Sequence, residues 1–311
     1  MVTRVSTAGN YSAILANLMA AENRQVDAEN RVSSTKNGND LKAFATQAET
    51  LTAMKSVDAR ITNYQSQNTL IAAKLSTQDQ ALTSVAASAT NVRQAIADAL
   101  ASGDANTLMQ VVSGQFATAV SSLNTQYDGK YLFAGGQIAT KPVTATQLSD
   151  LTAGPPISSF FQNDNLKVQA KLDDSTTVTT GQLASDIGTP VLAAFQALQA
   201  FDQGAGGPLN GKLTPAQEAF LTTQMGNWAT IASNVTTQTA QNGLVQKQVD
   251  DVAANLVTQQ NTLTSMIGHI TDADMAKAAT DLSNAQLSVQ ASAKVLQSLQ
   301  GDSLLTLLPV G

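Results

Sequence analysis

MKSVDARITNYQSQNTLIAAKLSTQDQALTSVAASATNVRQAIADA, residues 54–99, carries two interleaved seven-residue repeats. One seam reads Met54, Ile61, Asn68, Leu75, Leu82, Ala89 and Ile96; the other, three residues on, reads Val57, Tyr64, Ile71, Gln78, Val85, Val92 and Ala99. Ten of these fourteen positions hold a large apolar residue, at a mean spacing of about 3.5 residues, which is the pattern of a coiled coil. At about 1.5 Å per residue, roughly 50 residues make a helix of about 75 Å. Asn68 and Gln78 interrupt the seams, as polar residues that fix register often do.

Working outward, the helix is expected to end near Gly103, with Asp104 capping a second helix that runs to about Tyr127. Asp128-Gly129 signals a turn, and Tyr131 to Gly136 reads as a short strand-like run. Leu166, Val168, Ala170 and Leu172 alternate with polar residues before Asp173-Asp174 and Thr176–Val178, a hairpin pattern. A short helix is expected over Ile187–Phe201, and Gly204–Gly211 reads as a flexible linker. Thr214-Pro215 is a helix start, a capping hydroxyl followed by Pro at the first position.

A second heptad follows. Val245, Val252, Gln259 and Met266 form one seam, and Val249, Leu256, Leu263 and Ile270 the other. Gln78 and Gln259 are expected to face each other. Thr271-Asp272-Ala273-Asp274 has the shape of a capping box with Thr271 as the cap. Met275, Leu282, Val289 and Leu296 then recur every seven residues beside Ala278, Ala285, Ser292 and Leu299. At the other end, Tyr11, Ile14, Leu15, Leu18, Val26 and Val32 make a weaker stripe. Each end is thus an amphipathic helix with no core to join except the other end.

The expected fold is mainly α: a long coiled-coil rod formed by the N- and C-terminal segments, with a small mixed α/β or β insert at its tip. The expected divisions are 1–45 with 270–311 as terminal assembly helices, 46–136 with 213–269 as the rod, and 137–212 as the insert. The rod core is expected to use Met54, Ile61, Ile71, Leu75, Leu82, Val85, Val92, Val252, Leu256 and Leu263. Assembly is expected to use Ile14, Leu15, Leu18, Met275, Leu282, Val289 and Leu296.

Composition narrows the function. Hydrophobic residues are 43% and charged residues only 13% of 311, and the net charge is −6. A polar surface with few charges repels copies of itself weakly. Lys and Arg occur singly, without the basic stripe that a nucleic-acid binder needs. Cys is absent, which removes thiol chemistry and Cys-ligated metals. No apolar run approaches the roughly 20 residues of a membrane span. The first twenty residues lack a basic start followed by a roughly 7–15-residue apolar stretch, so the expectation is a protein that stays inside or leaves by a signal-less route.

The chemistry-bearing motifs read blandly. Gly206–Lys212, GGPLNGK, nearly spells a phosphate loop, but Leu213 stands where Ser or Thr would hold magnesium, and a helix precedes it. His269 is the single histidine and has no partners for a zinc site. Asp272 and Asp274 suit a helix N-terminus better than a metal. No catalytic, cofactor-binding or metal-binding residue is assigned, no cofactor is expected, and the chain is not expected to be an enzyme.

Three motifs in order resemble the flagellin superfamily. The first is Arg4–Thr7 with Tyr11, Leu15, Leu18 and Arg31-Val32-Ser33-Ser34-Thr35-Lys36; the second is Gly129-Lys130-Tyr131-Leu132-Phe133-Ala134-Gly135. The third is Ile270–Ala276 with Leu282, Ala285-Gln286, Gln290 and Ser303-Leu304-Leu305. Together they cover about 1–135 and 214–308. The Tyr131–Gly135 run is most similar to the hook-associated branch that joins hook to filament. Lys36–Leu41, KNGNDL, departs both from the Ser-Ala-Lys-Asp-Asp-Ala-Ala-Gly of filament flagellins and from the Pro-Ser-Asp-Asp-Pro of the junction branch. The filament flagellin is the alternative.

The resemblance implies a structural subunit of the bacterial flagellum, an extracellular appendage. It implies export through the flagellar type III channel, a cytoplasmic export chaperone, and homo-oligomers in a helical tube. The axial neighbours it implies are another hook-associated protein and flagellin. Neither nucleic acid nor membrane is implied as a partner.

Overall fold

A computed structural model describes the backbone of residues 2–38 and 40–305, and the side chains of 9–38 and 40–298. The side chains of Arg4–Thr7, Leu299 and Ser303–Leu305, which carry part of the sequence motifs, lie outside the described residues, as does Asn39. The chain is 73% helical, so the class is mainly α. The elements run α1 (Val2–Ser34), α2 (Ala48–Ser102), α3 (Leu108–Leu123), β1 (Gln126–Tyr127), β2 (Lys130–Tyr131), β3 (Gln169–Lys171), β4 (Thr177–Thr179), α4 (Ala184–Gln203), α5 (Pro215–Thr271) and α6 (Met275–Leu305). By contacts the chain divides into two compact units, 1–60 with 259–311 and 61–258.

The 61–258 unit has the larger core. Along α2, the seam residues Ile61, Asn68, Leu75, Leu82, Ala89 and Ile96 are all buried, and so are Gln78, Val85, Val92 and Ala99 of the second seam. The helix stops at Ser102 because Gly103 takes a left-handed φ of 65°, a conformation open to glycine. Leu108, Val112, Phe116, Ala119, Val120 and Leu123 give α3 a continuous buried stripe. The stripe recurs every three to four residues, the period of a helix with one covered face.

Phe195 of α4 sits between α3 and α5. Its ring centroid is 5.4 Å from Phe116 and 4.7 Å from Trp228, both edge-to-face. Segment 137–212 contributes Val143, Leu148, Leu151, Val191, Leu192 and Phe195 to the same hydrophobic cluster as α2, α3 and α5. β3 pairs antiparallel with β4 in the register Gln169↔Thr179, Ala170↔Val178 and Lys171↔Thr177. Asp173 closes that turn by accepting from the backbone N–H groups of Ser175 and Thr176.

Several expectations are corrected. Asp104 caps no helix: α3 begins at Leu108, and the Asp104 carboxylate accepts from the backbone and side chain of Asn106. Asp104 instead lies in an antiparallel bridge with Lys212, closed by the Ala105 N–H to the Gly211 carbonyl and the Leu213 N–H to the Gly103 carbonyl. The second helix ends at Leu123, not Tyr127. Gln126-Tyr127 instead pairs with Lys130-Tyr131 around Asp128 (φ 50°) and Gly129 (φ 69°), the two positive φ values of a tight hairpin turn.

Gly204–Gly211 is a packed loop, not a flexible linker. Leu209 is buried and its N–H donates to Asp202, while the Gln217 amide donates to the carbonyls of Gly206 and Pro208. Gln217 also completes a reciprocal cap with Thr214 at the start of α5. The two glutamines expected to face each other differ in environment: Gln259 is exposed, whereas Gln78 is fully buried with neither amide atom hydrogen-bonded.

Within the other unit, the cap of α6 is Asp274, not Thr271. Asp274 accepts from the N–H groups of Ala276 and Lys277 at 3.0 and 3.1 Å. Thr271 remains the last residue of α5 and donates its hydroxyl to Asp272.

Candidate assembly surface

The terminal helices pair with each other, and the sequence explains how closely. Successive helical residues turn by about 100°, so Ile14, Leu18, Ala21, Gln25, Ala28 and Val32 share one face of α1. Ala278, Leu282, Ala285, Val289, Ser292 and Leu296 share one face of α6 by the same rule. Ala21, Ala28, Ala278 and Ala285 are buried, and the larger residues of both faces are half-buried. Methyl side chains at the centre of the seam let the two backbones approach, with Leu, Ile and Val closing the flanks. The helices run antiparallel: Arg31 lies 3.9 Å from Asp281, and Arg24, Ala28, Ala285 and Ser288 border one groove.

The expected assembly residues therefore fall into two groups. Ile14, Leu18, Leu282, Val289 and Leu296 are half-buried in the seam, while Leu15 and Met275 face outward. A second apolar stripe, Tyr11, Leu15, Met19 and Val26, lies about 100° round α1 and is exposed. On α6, Leu287, Ala291 and Val295 form an outward row at i, i+4 and i+8, with Leu287 66% exposed. Met19, Leu287 and Val295 were missed because the seven-residue repeat dominates both segments. The i, i+4 row Tyr11–Leu15–Met19 is the sequence signal that separates this second face from the single stripe expected through Tyr11, Ile14, Leu15 and Leu18.

Of the expected rod-core residues, Ile61, Leu75, Leu82, Val85, Val92, Val252 and Leu256 are buried, and Met54, Ile71 and Leu263 are half-buried. Hydroxyls along the helices largely bond to their own backbones. Thr52, Thr69, Thr118, Thr222, Thr258 and Thr280 each donate to the carbonyl four residues back. A polar surface already satisfied in this way loses little when a neighbour covers it.

Charge follows the same division. The 1–60 and 259–311 unit holds nine Lys and Arg against ten Asp and Glu, a net of −1. The 61–258 unit holds eight against thirteen, a net of −5. The near-neutral unit is the one whose self-packing meets little repulsion.

Among the described residues there is no group of three or more His, Cys, Asp or Glu side chains placed to hold a metal, and no helix long and apolar enough to cross a membrane. His269 is exposed on the last turn of α5. Several carboxylates serve loops. Asp164 accepts from the N–H groups of Gly136 and Leu166, which hold its pKa below the usual carboxylate value. Asp150 is held low by the N–H groups of Thr146 and Gln147.

Residues 225–308, which take in α5 apart from its first ten residues and then α6, match the bacterial flagellin C-terminal helical region. A solved structure described as a flagellar hook-associated protein from Vibrio parahaemolyticus shares the fold at a TM-score of 0.56 and 18% identity, over 72% of this chain and 97% of that one. FlgL of Bacillus cereus does so at a TM-score of 0.53 and 15% identity, over 70% of this chain and 99% of that one. A search of curated protein sequences finds no match.

Proposed function

We propose that this chain is a structural subunit of the bacterial flagellum that joins hook to filament. In this reading it associates with its own copies and with neighbouring axial proteins through α1 and α6. The observation that carries the reading is the terminal helix pair: near-neutral, flagellin-type along α6, and bearing an uncovered apolar stripe on each helix. Likeness to two hook-associated structures over nearly their whole length favours the junction over the filament.

The chain works outside the cell, after export through the flagellar channel with a chaperone on its terminal helices. Absence of Cys suits that route, since an unfolded chain cannot cross-link. Its role is to bind and hold, with no catalytic step.

Filament flagellin is the second reading, favoured by the match of 225–308 to the flagellin C-terminal region. Mixing monomer with short sheared filaments and measuring their length by electron microscopy separates the two. Binding at ends without continued growth is expected for the junction subunit. Steady elongation by this chain alone would make it the filament protein, and no binding to filaments or hooks would end both readings.

A further inference from the structure

The seam between α1 and α6 does not specify its own register. Ala21 and Ala28 on α1 and Ala278, Ala285 and Ser292 on α6 recur at seven-residue intervals. Sliding one helix past the other by seven residues, about 10 Å, again sets small residues against small residues. Burying a methyl group is worth only about 0.8 kcal/mol, so few contacts are at stake in the choice between the two registers. Polar devices are what specify register in such repeats.

One such device stands at the base of the pair. The segment after α1 and the joint before α6 are cross-linked by hydrogen bonds. The Asn37 N–H donates to the Thr271 carbonyl at 2.8 Å, and the Ala273 N–H donates to the Thr35 carbonyl at 2.9 Å. The Lys36 ammonium donates to the Asp272 carboxylate, and the Asn37 amide donates to the Asp272 carbonyl at 2.8 Å. Thr35 is held at a φ of 59°, a left-handed conformation that a β-branched residue adopts only under outside constraint. Asp272 in turn accepts from the Thr271 hydroxyl, and its own N–H donates to Gly268.

We infer that Lys36 and Asp272 form a register clasp: they fix how far α1 slides along α6 and so align the outward stripes of the two helices into one surface. The exposed ion pair alone would contribute little. Its weight comes from closing a short antiparallel bridge whose backbone bonds form in one register only. A slip of about 10 Å would carry Tyr11, Leu15 and Met19 past Leu287 and Val295 by nearly two helical turns. This consequence for assembly rests on the flagellar reading, but the register itself does not.

The test uses the full chain, which has no native Cys to interfere. Asn30 and Gln297, both exposed, are changed to Cys and spin-labelled, and their separation is measured in monomers by double electron–electron resonance. With the clasp intact, one narrow distance is expected. In Lys36→Ala/Asn37→Pro/Asp272→Ala, which removes the ion pair, the Asn37 side-chain amide and the Asn37 N–H that bonds Thr271, a second population shifted by about 10 Å, or a broad spread, is expected. Lys36→Ala alone, which leaves the backbone bonds of the bridge in place, is expected to show the same change more weakly.

Arg31→Ala, which removes the ion pair to Asp281 outside the clasp, is expected to keep one distance. One unchanged narrow distance in the triple variant overturns the inference. A broad spread with the clasp intact, or the same second population in Arg31→Ala, does so as well. Filament binding is measured separately: its failure in the unmodified chain would refute the functional reading and leave the register result standing.

Discussion

The two units use one repeat in opposite ways. In 61–258 the heptad positions of α2 carry Ile, Leu and Val, and the helix is sealed by α3, α4 and α5 around Phe116, Phe195 and Trp228. In the terminal pair the buried seam is alanine, and much of the large apolar surface faces outward, with Met19 57% exposed. A core of large side chains is complete within one chain. A seam of methyl groups is thin, specifies register poorly, and leaves apolar faces for other subunits. The same period therefore encodes a self-sufficient core in one place and a surface to be covered in the other.

Attacking the core should have the largest effect. Phe195→Ala removes the ring between Phe116 and Trp228 and should cost about 3–5 kcal/mol. Urea unfolding followed by Trp228 fluorescence measures it, and a loss under about 1 kcal/mol would mean that the aromatic ladder is not the centre of this core. Attacking the terminal surface should leave folding intact and strike assembly. Leu15→Asp with Leu287→Asp should weaken binding to filament ends at least tenfold, about 1.4 kcal/mol, with helicity by circular dichroism unchanged. Normal binding by this double variant would exonerate the outward stripes.

A third change should move stability the other way. Gln78 is fully buried with both amide atoms unpaired. Gln78→Leu should raise the stability of the 61–258 unit by about 1–2 kcal/mol. A loss would show that the amide has partners that repay its burial.

The smallest effect is in pH. The Asp164 carboxylate is held low by the N–H groups of Gly136 and then Leu166. A carboxylate with a depressed folded-state pKa contributes fully above its ordinary value of 3.8, and that contribution fades as pH falls through the folded value. Thermal unfolding between pH 7 and 3 should show stability dropping below about pH 4, and Asp164→Asn should drop less steeply. Identical pH profiles would remove Asp164 from the account.

Much of the local structure was legible. The seam of α2, the hairpin turn at Asp128-Gly129, the alternation leading to Asp173 and the Thr214-Pro215 start all follow from residue periods and turn chemistry. The caps at Asp104 and Thr271 were misassigned because a sequence shows which side chain can cap. It does not show which long-range bond competes for the same backbone, here Lys212 with Asp104. The stripe of Tyr11, Leu15 and Met19 was half legible, because an apolar period reveals a face without saying what covers it.

By itself, the sequence determined where most helices form and which positions repeat. Those properties depend on neighbours a few residues away, and 3.5- and 2-residue periods report them directly. Only the tertiary structure decided that α6 covers the alanine face of α1 and leaves the tyrosine face bare, and that Lys36 meets Asp272 across 236 residues of chain. Such choices turn on contacts between distant segments, and a repeating pattern offers several near-equal ways to make them.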